Sequence, residues 1–211
     1  MQRLIGAVLT VLALAVSGVG AAHAEPPTGP VLHLTFDDGP DPRWTPQVLD
    51  VLARHHVAAT FFIVGKRADA YPSLVRRIVA AGHTVANHTY THVDLRTVTE
   101  QRFHDEVDRT QRALGPDGRR CLRPPYGATD QRVRDWTAEA GYHLQLWTTD
   151  TGDYTLPGAE VIADRIVAGA HDGAVILLHD AGGTDRSQTV QGLTIALDRL
   201  TGGDWRYEHT C

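Results

Sequence analysis

Val31-Leu32-His33-Leu34-Thr35-Phe36-Asp37-Asp38-Gly39-Pro40 is an apolar run that delivers two adjacent carboxylates and then stops at Gly-Pro. Neighbouring side chains on a strand point to opposite faces, so adjacent Asp residues can share one side only where the strand has ended. Gly39 and Pro40 mark that end. Carboxylates at a strand tip suit a site where one holds a metal and the other moves a proton. An Asp-rich solvated turn is the plain alternative, and the rest of the chain decides between them.

Downstream, apolar and β-branched runs at 58–64, 84–86, 121–123, 143–148, 174–178 and 205–209 read as further strands. Between them lie helical patterns: one opening at Thr45-Pro46, then 72–81, 99–114, 131–140, 159–170 and 189–200. This alternation predicts a parallel α/β protein. Six or seven βα units are few for an eight-fold barrel of roughly 250 residues. The expectation is a single-domain α/β fold, a distorted, shortened TIM-like barrel of about seven strands. A doubly wound open sheet is the alternative, but no Gly-x-Gly-x-x-Gly fingerprint follows the first strand.

The chain has 211 residues and a formal charge of −5, which argues against a nucleic-acid partner. Arg3, the apolar run 4–16 and Ala22-His23-Ala24 have the pattern of a secretory signal peptide over 1–24, cleaved near Ala24. The expectation is a secreted protein comprising residues 25–211, monomeric and with no membrane partner after cleavage. Cys121 and Cys211 are the two cysteines, and an exported chain with an even count suggests one disulfide.

The polar residues collect after predicted strands. In parallel α/β folds that edge carries the active site, so residues distant in sequence converge there. His88 and His92 are spaced i, i+4, so on a helical turn or in a tight loop both rings can face one ion. With Asp37 or Asp38 they make a two-His, one-carboxylate set that leaves positions open, as a catalytic metal needs. Zinc is the default from the ligand types, with cobalt or nickel also accommodated. Arg123-Pro124-Pro125-Tyr126-Gly127 is a stiff turn from which Arg123 could orient a carboxylate and backbone N–H groups could hold an oxyanion. His179 ends an apolar strand; Asp153 could hold its ring and raise its pKa, as suits a general acid. Leu177 shares a strand face with His179 and offers an apolar surface beside it. His33, His55, His56, His83, His104, His143 and His171 lack such company and read as packing or surface residues. Asp180 reads as a loop cap.

These stretches resemble the polysaccharide deacetylase family, the NodB-homology domain of carbohydrate esterase family four. Five motifs occur in order: TFDDGP at 35–40, HTYTH at 88–92, RPPYG at 123–127, DTGDY at 150–154 and ILLHD at 176–180. The resemblance implies a barrel with fewer than eight strands and a catalytic set of Asp37, His179, Arg123, Asp153 and Tyr126. Asp37 would be the general base, oriented by Arg123. His179 would be the general acid, partnered by Asp153. The Tyr126 N–H would be the oxyanion donor. Asp38, His88 and His92 would hold one divalent metal, and Leu177, Tyr154 and Pro124 would line the substrate pocket. The family usually has Trp where Tyr154 stands, which bears on pocket shape and substrate choice. The implied substrate is an acetylated polysaccharide or oligosaccharide, with N-acetylglucosamine polymers (chitin, its oligomers or peptidoglycan) first. An O-deacetylase such as an acetylxylan esterase is the alternative, and a silent carbohydrate-binding protein the third reading.

Overall fold

The computed structural model describes residues 28–211. The expected signal peptide and its cleavage point near Ala24 lie outside the described residues. Strand β1 (Val31–Asp37) sits near the centre of a curled sheet that also holds β2 (Ala59–Ile63), β3 (Thr84–Asn87), β4 (Gly118–Leu122), β5 (His143–Leu144), β6 (Thr149–Asp150) and β7 (Ala174–His179). The strand order is β5-β4-β3-β2-β1-β7-β6, and β8 (Arg206–Tyr207) pairs with the start of β1. Every pairing is parallel. All C-terminal strand ends therefore open on one rim.

Alternation along β1 divides its work. Leu32, Leu34 and Phe36 face outward and pack with Phe61, Ile63, Ile176 and Leu178 against the helices. His33, Thr35 and Asp37 face the barrel interior. The helical layer comprises α1 (Thr45–Arg54), α2 (Gly65–Ala70), α3 (Pro72–Ala80), α4 (Glu100–Leu114), α5 (Gln131–Glu139), α6 (Ala159–Gly169) and α7 (Ser187–Leu200). Sequence signals for its boundaries are real: Thr99 accepts the Arg102 N–H at the start of α4, and Asp130 the Val133 N–H at the start of α5. Helix α2 was not expected. Its six residues, Gly-Lys-Arg-Ala-Asp-Ala, bury only Gly65 and Ala68, too little apolar periodicity to read.

Of the expected single strand over 143–148 only β5 (His143–Leu144) forms, and β6 follows it at Thr149–Asp150. Gln145 donates its N–H to Leu122 of β4 at 2.9 Å, and Thr148 donates to Val175 of β7 at 2.9 Å. The segment thus crosses from one edge of the sheet to the other and closes the barrel with a single pass of chain. Arg123 fastens it: Nε donates to the Gln145 carbonyl and Nη2 to the Leu146 carbonyl, each at 3.2 Å.

The C-terminal tail runs beneath the barrel. Glu208 donates its N–H to the Leu32 carbonyl at 3.3 Å, and Thr210 donates to Thr60 Oγ1 at 3.2 Å. The expected disulfide is present between Cys121 and Cys211, tying the chain end to β4. Cys121 is buried with Phe62 and Ala86 on the interior face. No helix among the described residues is long and apolar enough to cross a membrane.

Candidate active site

The chain leaves β1 through Asp38, whose φ of 76° ends the extended backbone at once. That turn brings Asp37 and Asp38, which a continuing strand would set on opposite faces, into the same cavity of about 330 Å³. His88, His92, Tyr126, Leu177 and His179 line it with them. The five stretches that carry the polar residues therefore meet at one rim.

His88 and His92 occupy a loop rather than a helix, with Thr89 at φ 62° and His92 at φ 59°. Such left-handed backbone is unfavourable for these residue types and persists where surrounding structure enforces it. Here α4 enforces it. The buried Glu106 accepts the N–H of Tyr90 at 2.8 Å, the N–H of Thr91 at 2.7 Å and the Thr91 hydroxyl at 2.7 Å. Asn87 adds a fourth tie, accepting the Thr89 N–H at 2.9 Å.

Asp38 Oδ1 lies 3.6 Å from His88 Nε2 and 3.0 Å from His92 Nε2. Ligands about 2.0–2.2 Å from a shared tetrahedral ion stand about 3.3 Å apart, so the separations suit zinc. Two further features fit a cation. Asp38 Oδ1 is buried and satisfied by no hydrogen bond, although imidazoles surround it. His88 Nδ1 pairs with the Arg123 carbonyl at 2.7 Å, which makes Nδ1 the donor and leaves the Nε2 lone pair facing Asp38. Protonation states agree. Burial raises the Asp38 pKa, but His92, His88 and His179 more than offset it and hold the carboxyl well below its usual range. Burial pushes the His88 pKa down, against the pull of Asp37 and Asp38, which favours the neutral ligand form.

Asp37 is held from behind. Arg123, fully buried, donates Nη1 to Asp37 Oδ1 at 2.7 Å and to Thr35 Oγ1 at 2.8 Å, and its guanidinium lies 3.9 Å from the centre of the Phe62 ring. Thr35 in turn donates to the Ile176 carbonyl of β7 at 2.6 Å. This lock leaves Asp37 Oδ2 free of the guanidinium. On the neighbouring strand, His179 Nδ1 pairs with Asp153 Oδ1 at 2.7 Å. Asp153 Oδ2 also accepts the His179 N–H and the Thr189 hydroxyl, each at 2.9 Å. Burial works against a charged His179, but Asp153 prevails, with help from Asp37 and Asp38, and the ring pKa is pushed up to about 9. The backbone N–H of Tyr126 has no protein acceptor among the described residues, and that residue sits at φ 61°.

One expected pocket residue is misplaced. Pro124 is buried and does not line the cavity; its carbonyl accepts the Gly127 N–H at 3.0 Å, so it shapes the turn instead. Trp147 and Asp150 line the cavity in its place. Trp147 sits on the segment that bridges the barrel, and reading 143–148 as one strand hid it; Asp150 ends β6. Tyr154 does line the cavity, edge-on to His179 with ring centres 5.5 Å apart. Asp180, expected as a loop cap, is fully buried and accepts from the Thr45 hydroxyl; burial pushes its pKa up to about 7. Glu106 and Thr35 were not expected to serve the site. A single acid in a helix and a Thr in an apolar strand carry no local signal of the partners they meet.

Comparison with known proteins gives one consistent result. Residues 24–145 match a family model described as polysaccharide deacetylase. A chitooligosaccharide deacetylase of Sinorhizobium fredii is 42% identical over 197 residues, covering 87% of this chain and 88% of that protein. The structure of a peptidoglycan N-acetylglucosamine deacetylase bound to a naphthyl-substituted N-hydroxybenzamide superposes with a TM-score of 0.82 at 32% identity, covering 88% of each chain. A family 4 carbohydrate esterase from Streptomyces lividans, solved with acetate, gives a TM-score of 0.78 at 33% identity, covering 86% of this chain and 93% of that one.

Proposed function

The chain belongs to the polysaccharide deacetylase family, and from that premise we propose that it is an exported hydrolase of N-acetyl groups on N-acetylglucosamine polymers or oligomers. It acts as a monomer of one catalytic domain, residues 25–211, with one divalent cation, zinc by ligand type. The observation that carries the reading is the convergence of two held proton carriers, Asp37 with Arg123 and His179 with Asp153, on the cavity of the Asp38–His88–His92 group.

Asp38, His88 and His92 would hold the cation, which when bound polarises a carbonyl and makes water more acidic. Asp37 takes the proton of the attacking water through Oδ2, because Arg123 occupies Oδ1. As the water oxygen bonds to the acetyl carbon, charge develops on the carbonyl oxygen, and the Tyr126 N–H is free to donate to it. An amide nitrogen leaves only once it is protonated. His179, kept cationic at neutral pH by Asp153, supplies that proton from Nε2; the C–N bond breaks, giving acetate and an amine. Leu177 and Trp147 give the acetyl methyl an apolar wall.

Export is supported by the N-terminal pattern at 1–24 and by the disulfide. Acetate release measured side by side on chitooligosaccharide and acetylated xylan tests the substrate, with and without chelator and then with zinc or cobalt restored. Release from xylan alone would replace the N-deacetylase reading with an O-deacetylase. Full activity in chelator would remove the cation from it.

A further inference from the structure

Three carboxylates line the cavity, and two of them are engaged by basic side chains. Asp37 pairs with Arg123, and Asp38 faces two imidazoles. Asp150 has no Arg, Lys or His within ion-pair distance among the described residues, and it is exposed. Its Oδ1 accepts the Gly152 N–H at 2.8 Å, which fixes the side chain to the turn. Its Oδ2 accepts the Tyr154 hydroxyl at 3.3 Å and is otherwise open to solvent. Arg165, the neighbouring cation, donates to the Thr151 carbonyl at 2.7 Å and is used there.

Resting on the deacetylase reading, we propose that Asp150 and the Tyr154 hydroxyl form a subsite for the ammonium group of an already deacetylated sugar adjoining the acetylated one under attack. The placement supports this. Tyr154 is edge-on to His179 and its hydroxyl reaches Asp150, so one side chain touches both the acid and the carboxylate. All three line the same cavity, which puts Asp150 beside the sugar whose nitrogen takes the His179 proton. The chemistry supports it too, since each turnover leaves an amine beside the acetyl groups that remain. An indole at 154 would offer the carboxylate only an N–H on a differently shaped ring, whereas the phenol holds it by its outer edge. Asp150 thereby favours chains that have already been partly converted.

Binding of a glucosamine oligomer and of an N-acetylglucosamine oligomer of equal length, by calorimetry, tests this on wild type, Asp150→Asn and Tyr154→Phe. Asn keeps the acceptor for the Gly152 N–H, so the turn survives. The glucosamine oligomer should bind about two- to five-fold more weakly to Asp150→Asn, the range for an exposed ion pair, and the acetylated oligomer by a smaller factor. Tyr154→Phe should shift in the same direction by less. Salt at about 0.5 M should erase the difference between wild type and Asp150→Asn. The kcat/KM ratio of partly deacetylated to fully acetylated oligomer should fall with the affinity, through KM. Equal weakening for both oligomers, or none, overturns the subsite. Because binding needs no turnover, a wild type that binds amines in this way but releases no acetate would sink the deacetylase reading alone.

Discussion

At the scale of the residue, the site is a set of polar side chains each held in place by a close partner. Asp37 has Arg123 at 2.7 Å behind it, so Asp37→Asn keeps the packing but removes the proton acceptor. We expect kcat on chitooligosaccharide to fall by about 10²- to 10⁴-fold, and the melting midpoint to fall too because the buried Arg123 loses its counter-charge, read by acetate release and circular dichroism. His179 carries a raised pKa of about 9, so its acidic form is present at neutral pH and lost as pH rises through that value. Asp153→Asn removes the main stabiliser of the cation and leaves burial, which acts the other way; the basic limb of the kcat/KM profile should move to lower pH. The same linkage gives a stability signature. The pair's contribution is complete below the ordinary imidazole value of 6.5 and is lost as pH rises through about 9, so the Asp153→Asn penalty in urea should shrink at high pH. These groups were readable in advance because they sit in short motifs at predicted strand ends and their chemistry is narrow. Pro124 and Trp147 were not, because which of two apolar groups faces a cavity depends on how a turn and a crossing segment lie against each other.

At the scale of the element, the site is a row of strand ends with loops held in shape from the side. The i, i+4 spacing of His88 and His92 would serve on a helix, yet the pair sits on a loop with left-handed residues. What fixes the loop is Glu106 of α4, which accepts from the Tyr90 and Thr91 N–H groups and pairs with Arg102 at 2.6 Å. Glu106→Ala leaves the two N–H groups unpaired. It should weaken zinc binding about tenfold or more, as losses behind a metal ligand do, measured by competition with a chromophoric chelator. The opposite result, unchanged affinity with lowered stability, would make Glu106 a structural acid only. Element periods were legible where burial is one-sided, as in α4 with Phe103, Val107 and Leu114 inward. They were not legible in α2, which is too short, or over 143–148, where the chain serves two sheet edges in turn.

At the scale of the whole molecule, a barrel with too few strands is closed by a crossing segment, a buried arginine and a tail. Arg123 fastens Gln145 and Leu146 while it holds Asp37, so the cation that positions that carboxylate also shuts the barrel. The tail passes under β1 and β2 and is fastened by Cys121–Cys211 across 90 residues. Cys121→Ser with Cys211→Ser should cost about 2–4 kcal/mol, read as a melting midpoint roughly 4–16 °C lower, with the reduced wild type matching it. The linear chain by itself determined the alternation of strand and helix, the parallel sheet that follows, the kinds of group at each strand tip and the pairing of two lone cysteines. These depend on local periodicity and on the intrinsic chemistry of side chains. Only the tertiary structure decided that residues 145–148 bridge the sheet, that Trp147 rather than Pro124 lines the cavity, and that Glu106 and Thr35 support the site. Those outcomes are set by contacts between residues far apart in sequence, whose distances no local pattern encodes.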